Sequence, residues 1–231
     1  MNNLNKNTNK KVLIVAAHPD DEVLGCGGTI AKHAECGDKV YVIFMTNGVD
    51  SRYNVSSKDI NQRHQSAEKA SKTLGVLSIK LFDFPDNKMD SIPLLDIVQS
   101  IEVEIDKFRP EIIYTHHIGD LNIDHQITHN AVMTACRPQP EFCVKEVYTF
   151  EVPSSTEWQA PQHLPFMPNM FVDISKQIEI KNIALAFYSD EMRPPPHSRS
   201  IKNILRINAY RGNSMGVDYA EAFMVNRILK I

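Results

Sequence analysis

The chain has no apolar run approaching the roughly 20 residues that a bilayer-spanning helix needs. Its first ten residues, MNNLNKNTNK, lack the apolar stretch of a secretory leader. A cytoplasmic location with no membrane span is therefore expected. Charge of one sign is missing too: Lys plus Arg number 25 and Asp plus Glu 28, a formal net charge of −3, with no long block of like charge. That balance gives no electrostatic reason to bind nucleic acid or an anionic membrane surface. Cysteine is scarce. Cys26, Cys36, Cys136 and Cys143 include no C-x-x-C pair, and in a chain of 231 residues they do not make a disulfide framework. They read as free thiols, mostly buried. No internal repeat, low-complexity tract or interdomain linker is visible. With 42% hydrophobic residues, a single domain over residues 11–231 is expected, after a disordered tail over residues 1–10.

What is present is an alternation of two patterns. Continuous apolar runs at 12–17 (VLIVAA), 39–46 (KVYVIFMT), 79–84 and 111–117 (EIIYTHH) have the length and composition of strands buried on both faces. Between them, residues 27–35, 62–74, 93–108 and 124–136 carry helical spacing, with Gly37, Gly75 and Pro110 as stop signals. This order predicts an α/β, Rossmann-like three-layer sandwich with a mostly parallel central sheet. The last third is rich in proline at 138–140, 161–168 and 194–196. Helices near 174–190 and 198–210 and a final strand at 219–229 are expected there.

In an open parallel sheet, ligands bind beyond the carboxyl ends of the strands. The run 12–17 leads straight into His18-Pro19-Asp20-Asp21-Glu22. His18 and Asp21 offer the nitrogen and oxygen donors that zinc accepts, and Asp20 is left as a carboxylate able to take a proton from water. A helix N-cap is the plainer use of such a loop. Against it, four ionisable groups directly behind a buried strand are costly to place without a purpose. After the 111–117 strand comes a second polar cluster: His116, His117, Asp120, Asn122, Asp124, His125 and His129. A catalytic zinc usually takes three protein ligands and keeps one open position. His18, Asp21 and one histidine of this cluster make that set. His125, at the helix start, is preferred to His129 one turn later. Asp124 either orients His125 or caps the helix, and at least one of His116 and His117 should face the cleft.

AHPDDE after one strand and DLNIDH after another resemble the motifs of the PIG-L/LmbE-like family of zinc-dependent N-deacetylases. The resemblance extends to Thr46-Asn47-Gly48, the Arg63–Gly75 segment and, more weakly, residues 211–223. It implies an LmbE-like fold, His18, Asp21 and His125 as metal ligands, and Asp20 as general base. The implied cofactor is one zinc ion per chain, with Fe2+ as the alternative metal. The implied reaction is removal of an N-acyl group, usually acetyl, from an amino sugar or its conjugate, a small substrate that can be nucleotide-linked. Homo-oligomerisation stays open. Where the family often has a histidine three residues before the last ligand, this chain has Asn122. An amide can donate a hydrogen bond to an oxyanion but cannot deliver a proton, so His197 in the loop 194–200 is a candidate for that part. Arg52, beyond the second strand, is the candidate for substrate binding, with Arg199 and Arg211 behind it and Trp158 and Tyr188 as candidates to stack on a sugar. The competing readings are a single-metal hydrolase of another amide or ester, a two-metal phosphoesterase, and a non-catalytic sugar- or nucleotide-binding protein. The phosphoesterase would need more ligands than these. Gly25-Cys26-Gly27-Gly28 lacks the G-x-G-x-x-G spacing of a dinucleotide loop. Glycines there suit a helix packed closely on a sheet.

Overall fold

Val12, Leu13, Ile14 and Val15 have no exposed surface, so both faces of the first strand must be covered. The computed structural model describes residues 9–230 and shows how. Residues 1–8 of the expected tail lie outside the described residues. Lys10 is tied to the fold through its N–H to Asp38 (2.8 Å) and its carbonyl to the Lys39 N–H (2.8 Å).

The chain runs β1 (Lys11–Ala16), α1 (Asp21–Glu35), β2 (Lys39–Thr46), α2 (Ser57–Thr73), β3 (Ser78–Phe84), α3 (Leu94–Phe108), β4 (Ile112–His116) and α4 (Ile123–Ala135). It continues through β5 (Glu146–Phe150), β6 (Met170–Asp173), α5 (Ile178–Ala186), α6 (Ile201–Asn213) and β7 (Ala220–Ile228). Seven strands form one sheet in the order β3-β2-β1-β4-β5-β7-β6. The first five are parallel to their neighbours, while β7 runs antiparallel to β5 and to β6. This is the mostly parallel α/β sandwich that the alternation predicts. Alternate residues of β1 serve opposite faces. Val12, Ile14 and Ala16 join Val23, Ile30 and Leu185, whereas Leu13 and Val15 join Ile97, Ile101 and Val132. Each aliphatic side chain so buried contributes roughly 1.5–3 kcal/mol.

Two strands, β5 and β6, were not expected from the sequence. Each is short and lies beside proline-rich loops. Helix α1 begins at Asp21 instead of residue 27, because it is two helical pieces joined at a kink at Cys26 (φ −145°, ψ 22°). The glycines at the kink do serve packing: a Cβ on Gly25 would sit 2.3 Å from the Phe150 ring. Glu221 of β7 accepts the N–H groups of Gly28 (2.9 Å) and Thr29 (2.7 Å), capping the second piece from across the fold.

The order of strands changes direction at β1. One neighbour, β2, follows it in sequence, and the other, β4, arrives much later. The crevice beyond the carboxyl ends of β1 and β4 is thus a topological switch point, where this class of sheet binds ligands.

Candidate metal centre and active-site cavity

β1 ends at Ala16 and the chain turns through His18 and Pro19 into α1, with the Asp21 N–H closing the turn on the His18 carbonyl at 3.2 Å. β4 ends at His116, and α4 starts at Ile123 with Asn122 as N-cap. The two turns meet. His18 Nδ1 lies 3.1 Å from Asp21 Oδ2, and His125 Nε2 lies 3.2 Å from that oxygen and 3.2 Å from His18 Nδ1. All three residues are buried. A tetrahedral ion with ligand bonds of roughly 2.0–2.2 Å sets its ligand atoms about 3.3–3.6 Å apart, within a few tenths of an ångström of these distances. The triangle of donors therefore fits one such ion.

The surroundings agree. His18 Nε2 faces Asp124 Oδ2 at 3.2 Å and Asp86 Oδ1 at 3.3 Å, which leaves Nδ1 as the lone pair turned toward Asp21 and His125. Asp124 is itself held by the N–H groups of Asn87 (2.6 Å) and Met89 (3.1 Å). Asp120 Oδ1 lies 3.1 Å from His125 Nδ1. That contact is off the hydrogen-bonding direction, so it acts as charge attraction; Ser155, Thr156 and the Asn122 N–H hold Asp120. Carboxylates that orient ligating histidines are the usual support of such sites. Burial lowers the basicity of His125, but Asp21 and Asp120 outweigh it and bring its pKa to about 9. Burial opposes protonation of His18 as well, and the hydrogen bonds of Asp124, Asp21 and Asp86 raise it well above the ordinary value. Burial alone would raise Asp21; the charges of His125 and His116 hold it well below the usual carboxylate range. These shifts mark a place that stabilises added positive charge, as a cation would supply.

Asp20 stands beside this centre without joining it. Its backbone has φ 129°, a region that a non-glycine residue occupies only when its surroundings insist. Here its N–H donates to Glu22 Oε2 at 2.9 Å, and Tyr188 donates to Glu22 Oε1 at 2.7 Å. Asp20 Oδ2 lies 3.2 Å from Arg199 Nη1 and 3.6 Å from Arg63 Nη2. Burial raises its pKa to about 6, against the pull of both arginines.

Above the centre opens a cavity of about 230 Å³. His18, Asp20 and His125 line it, together with Asn122 and Arg52. Asn122 is committed as the N-cap: its Oδ1 accepts the Asp124 N–H at 2.8 Å and its Nδ2 donates to Asn87 Oδ1 at 2.9 Å. One N–H of the amide remains. Arg52 pairs with Glu191 on the rim. His197 is not in the cavity wall. Its Nδ1 accepts the Arg199 N–H at 3.0 Å and its ring meets the edge of Trp158, so it shapes the loop instead.

Other residues also lie where the sequence did not place them. Asp124 orients His18 and not His125. Neither His116 nor His117 faces the cavity: His116 stacks behind His125 (ring centroids 3.9 Å apart) and accepts the Ala17 N–H, and His117 contacts the Leu164 carbonyl. Tyr188 is buried against Glu22. Arg63, Asp86, Glu191 and Arg193 were missed, and all line the cavity. A signal existed for Arg63, which shares a helical stripe with the buried Ala67 and Ala70. Asp86 closely follows β3, the position occupied by the other polar clusters.

A family model, GlcNAc-PI de-N-acetylase (PIG-L), matches residues 13–136, more than half of the chain and all of the candidate metal centre. An uncharacterized deacetylase of Escherichia coli K12, YaiS, is 32% identical over 176 residues, covering 74% of this chain and 85% of that one. Diacetylchitobiose deacetylase of Thermococcus kodakarensis is 29% identical over 228 residues, covering 92% and 81%. A 4-oxalmesaconate hydratase of Pseudomonas putida is 27% identical over 207 residues, covering 78% and 74%. Among solved structures, the conserved protein TT1542 of Thermus thermophilus superposes with a TM-score of 0.77 at 24% identity, covering 96% and 97%.

Proposed function

Because the chain belongs to the PIG-L family, we propose that it is a metal-dependent N-deacetylase acting on a small amino sugar or amino-sugar conjugate. The carrying observation is the triangle of His18 Nδ1, Asp21 Oδ2 and His125 Nε2, with edges of 3.1, 3.2 and 3.2 Å, and Asp20 free beside it. Two imidazoles and one carboxylate are a donor set that suits zinc first and Fe2+ second. The bound ion would supply a Lewis acid for the amide carbonyl and make water acidic enough to be deprotonated near neutrality.

The chain's own residues then have separable tasks. Asp20, with a pKa near 6, takes the proton of the attacking water; a base of this strength is ionised at neutral pH yet more basic than an ordinary aspartate. Arg199 and Arg63 keep its carboxylate turned to the cavity. The remaining Asn122 N–H is placed to donate to the developing oxyanion. Asp124 fixes the orientation of His18, and Asp120 supports His125 by charge. Arg52, on the rim, contacts the sugar or its substituent. His197 receives no catalytic part in this scheme. The names of the two deacetylase relatives support the reaction class, and the diacetylchitobiose enzyme supports an N-acetyl sugar as substrate.

A second reading, addition of water to an unsaturated carboxylate, draws support from the hydratase relative and from the arginines of the cavity wall. One experiment separates the two. A panel of N-acetyl and N-formyl amino sugars, free and nucleotide-linked, is assayed for release of a primary amine by the zinc-loaded and Fe2+-loaded protein. Amine release from any member is the expected result. No release from any, with hydration of an unsaturated dicarboxylate instead, would replace the deacetylase reading.

A further inference from the structure

The cavity wall holds four arginines, Arg52, Arg63, Arg193 and Arg199, but only three carboxylates, Asp20, Asp86 and Glu191. Asp86 is committed to His18 and to the Ser51 N–H. Asp20 is shared between Arg63 and Arg199, and Glu191 between Arg52 and Arg63. Arg193 is left over. No carboxylate among the described residues pairs with it, and the hydrogen bond its side chain makes is to the Asp190 carbonyl, at 3.1 Å.

Arg193 is exposed at the cavity mouth, but its backbone is held in a closed loop. Arg193 and Arg199 bracket the loop Pro194-Pro195-Pro196-His197-Ser198, and the Arg193 N–H donates to the Arg199 carbonyl at 3.1 Å, closing the loop at its base. Within the loop the His197 N–H reaches the Pro194 carbonyl (3.2 Å), and the Arg199 N–H reaches His197 Nδ1 (3.0 Å). Three proline rings fix the backbone between them. Arg199 is further clamped by Ser154 Oγ at 2.8 Å and by Asp20. Two guanidinium groups thus rise from adjacent points of a stiff loop and line the same cavity. A guanidinium matches the planar fork of a carboxylate or phosphate. The clamped Arg199 loses little freedom when it binds, and Arg193 brings a guanidinium that no carboxylate among the described residues occupies.

We propose that Arg193, with Arg199 at its side, forms an oxyanion subsite, and that the amino-sugar substrate carries a phosphate or a carboxylate that docks there while its amide lies over His18 and His125. For the identity of the substrate this rests on the deacetylase reading; the binding of an oxyanion does not. It also accounts for His197, whose ring nitrogen holds the loop that presents the arginines.

The test is calorimetric binding of deacetylated sugars, which need no turnover, to the metal-loaded full chain. The probes are glucosamine, glucosamine 1-phosphate, glucosamine 6-phosphate and, as the carboxylate source, muramic acid. Inorganic phosphate, compared between wild type and Arg193→Ala, separates oxyanion binding at the subsite from binding at the metal. At least one anionic sugar should bind about tenfold or more tighter than glucosamine, as a charge-assisted bidentate contact provides. Arg193→Ala should bring that affinity down to the neutral level, and Arg193→Lys should recover part of it, with circular dichroism and metal content unchanged. Equal affinities for all the sugars, or a preference that survives Arg193→Ala, would overturn the subsite. Amine release from the matching N-acetyl sugars is measured in parallel. A preference for anions without amine release sinks the deacetylase reading alone, and amine release without that preference sinks the subsite alone.

Discussion

Asp20 combines an unusual backbone with an unusual carboxyl, and both follow from what surrounds it. Burial lifts its pKa to about 6 although Arg63 and Arg199 pull the other way. Replacing it with asparagine removes the base while keeping the shape and the neighbouring ligands. Asp20→Asn is expected to retain the metal and to lose a factor of about 10² to 10⁴ in kcat, as loss of a general base does, measured as amine release beside metal analysis. Activity near wild type would mean that another group takes the proton. Glu22 is the second residue with a consequence of its own. Burial raises its pKa from 4.5 to about 8, with Tyr188 and the Asp20 N–H opposing. A carboxyl whose folded pKa is raised binds its proton more tightly in the native state. Its contribution to stability is therefore full below pH 4.5 and is lost as pH rises through about 8. Urea unfolding from pH 5 to 9 should show wild type losing stability, on the order of a few kcal/mol, and Glu22→Gln showing a flatter profile. Identical slopes would show that Glu22 does not titrate in that window. At this scale the sequence was most informative where the motif is contiguous, as in His18 to Glu22. It was least informative for Arg193 and Asp86, whose proximity to the centre comes only from folding.

Helix α1 shows why elements were read less well than residues. Its kink at Cys26 lets Gly25 press on Phe150 of β5, and its second piece is capped by a carboxylate almost two hundred positions away, Glu221. No local pattern announces such a cap. The expected start at residue 27 is where the second piece begins, so the periodicity was sound and the first turn was hidden by its polar residues. Glu221 is also bonded to Lys181 of α5 at 2.6 Å, and both side chains are essentially without exposure. Removing one partner of a buried ion pair leaves the other charge uncompensated, at a cost of about 3–5 kcal/mol. Lys181→Ala should lower the unfolding free energy by that amount. Glu221→Gln leaves the Lys181 charge buried and keeps an acceptor for only one of the two N–H groups, because Gly28 bonds Oε1 and Thr29 bonds Oε2, so it should cost at least as much. The reverse order would assign the stability to packing and not to the pair. β5 and β6 escaped detection for a related reason: five and four residues beside proline-rich loops carry too little pattern to distinguish a strand from a connection.

For the molecule as a whole, the alternation of apolar runs and helical stretches was enough to give a mostly parallel α/β sandwich, and the rule that such sheets bind ligands at their carboxyl ends put both polar clusters on one side. The strand order completes the picture, because β1 and β4 are neighbours only through a crossover, and the crevice between their ends brings His18 and Asp21 to His125. No helix among the described residues is long and apolar enough to cross a membrane. The antiparallel direction of β7, its pairing with β6 and the place of Arg193 at the mouth depend on which loops meet and were beyond the reach of sequence, whereas Arg52 and Arg199 were expected at the site. The central claim is that two distant turns hold a single divalent ion. Elemental analysis of the purified protein, after zinc loading and dialysis, tests it directly. Wild type and Asp20→Asn should each hold about one ion per chain, as three protein ligands and an open position require, and His125→Ala should hold almost none. Two ions per chain in wild type, or an undiminished content in His125→Ala, would contradict it.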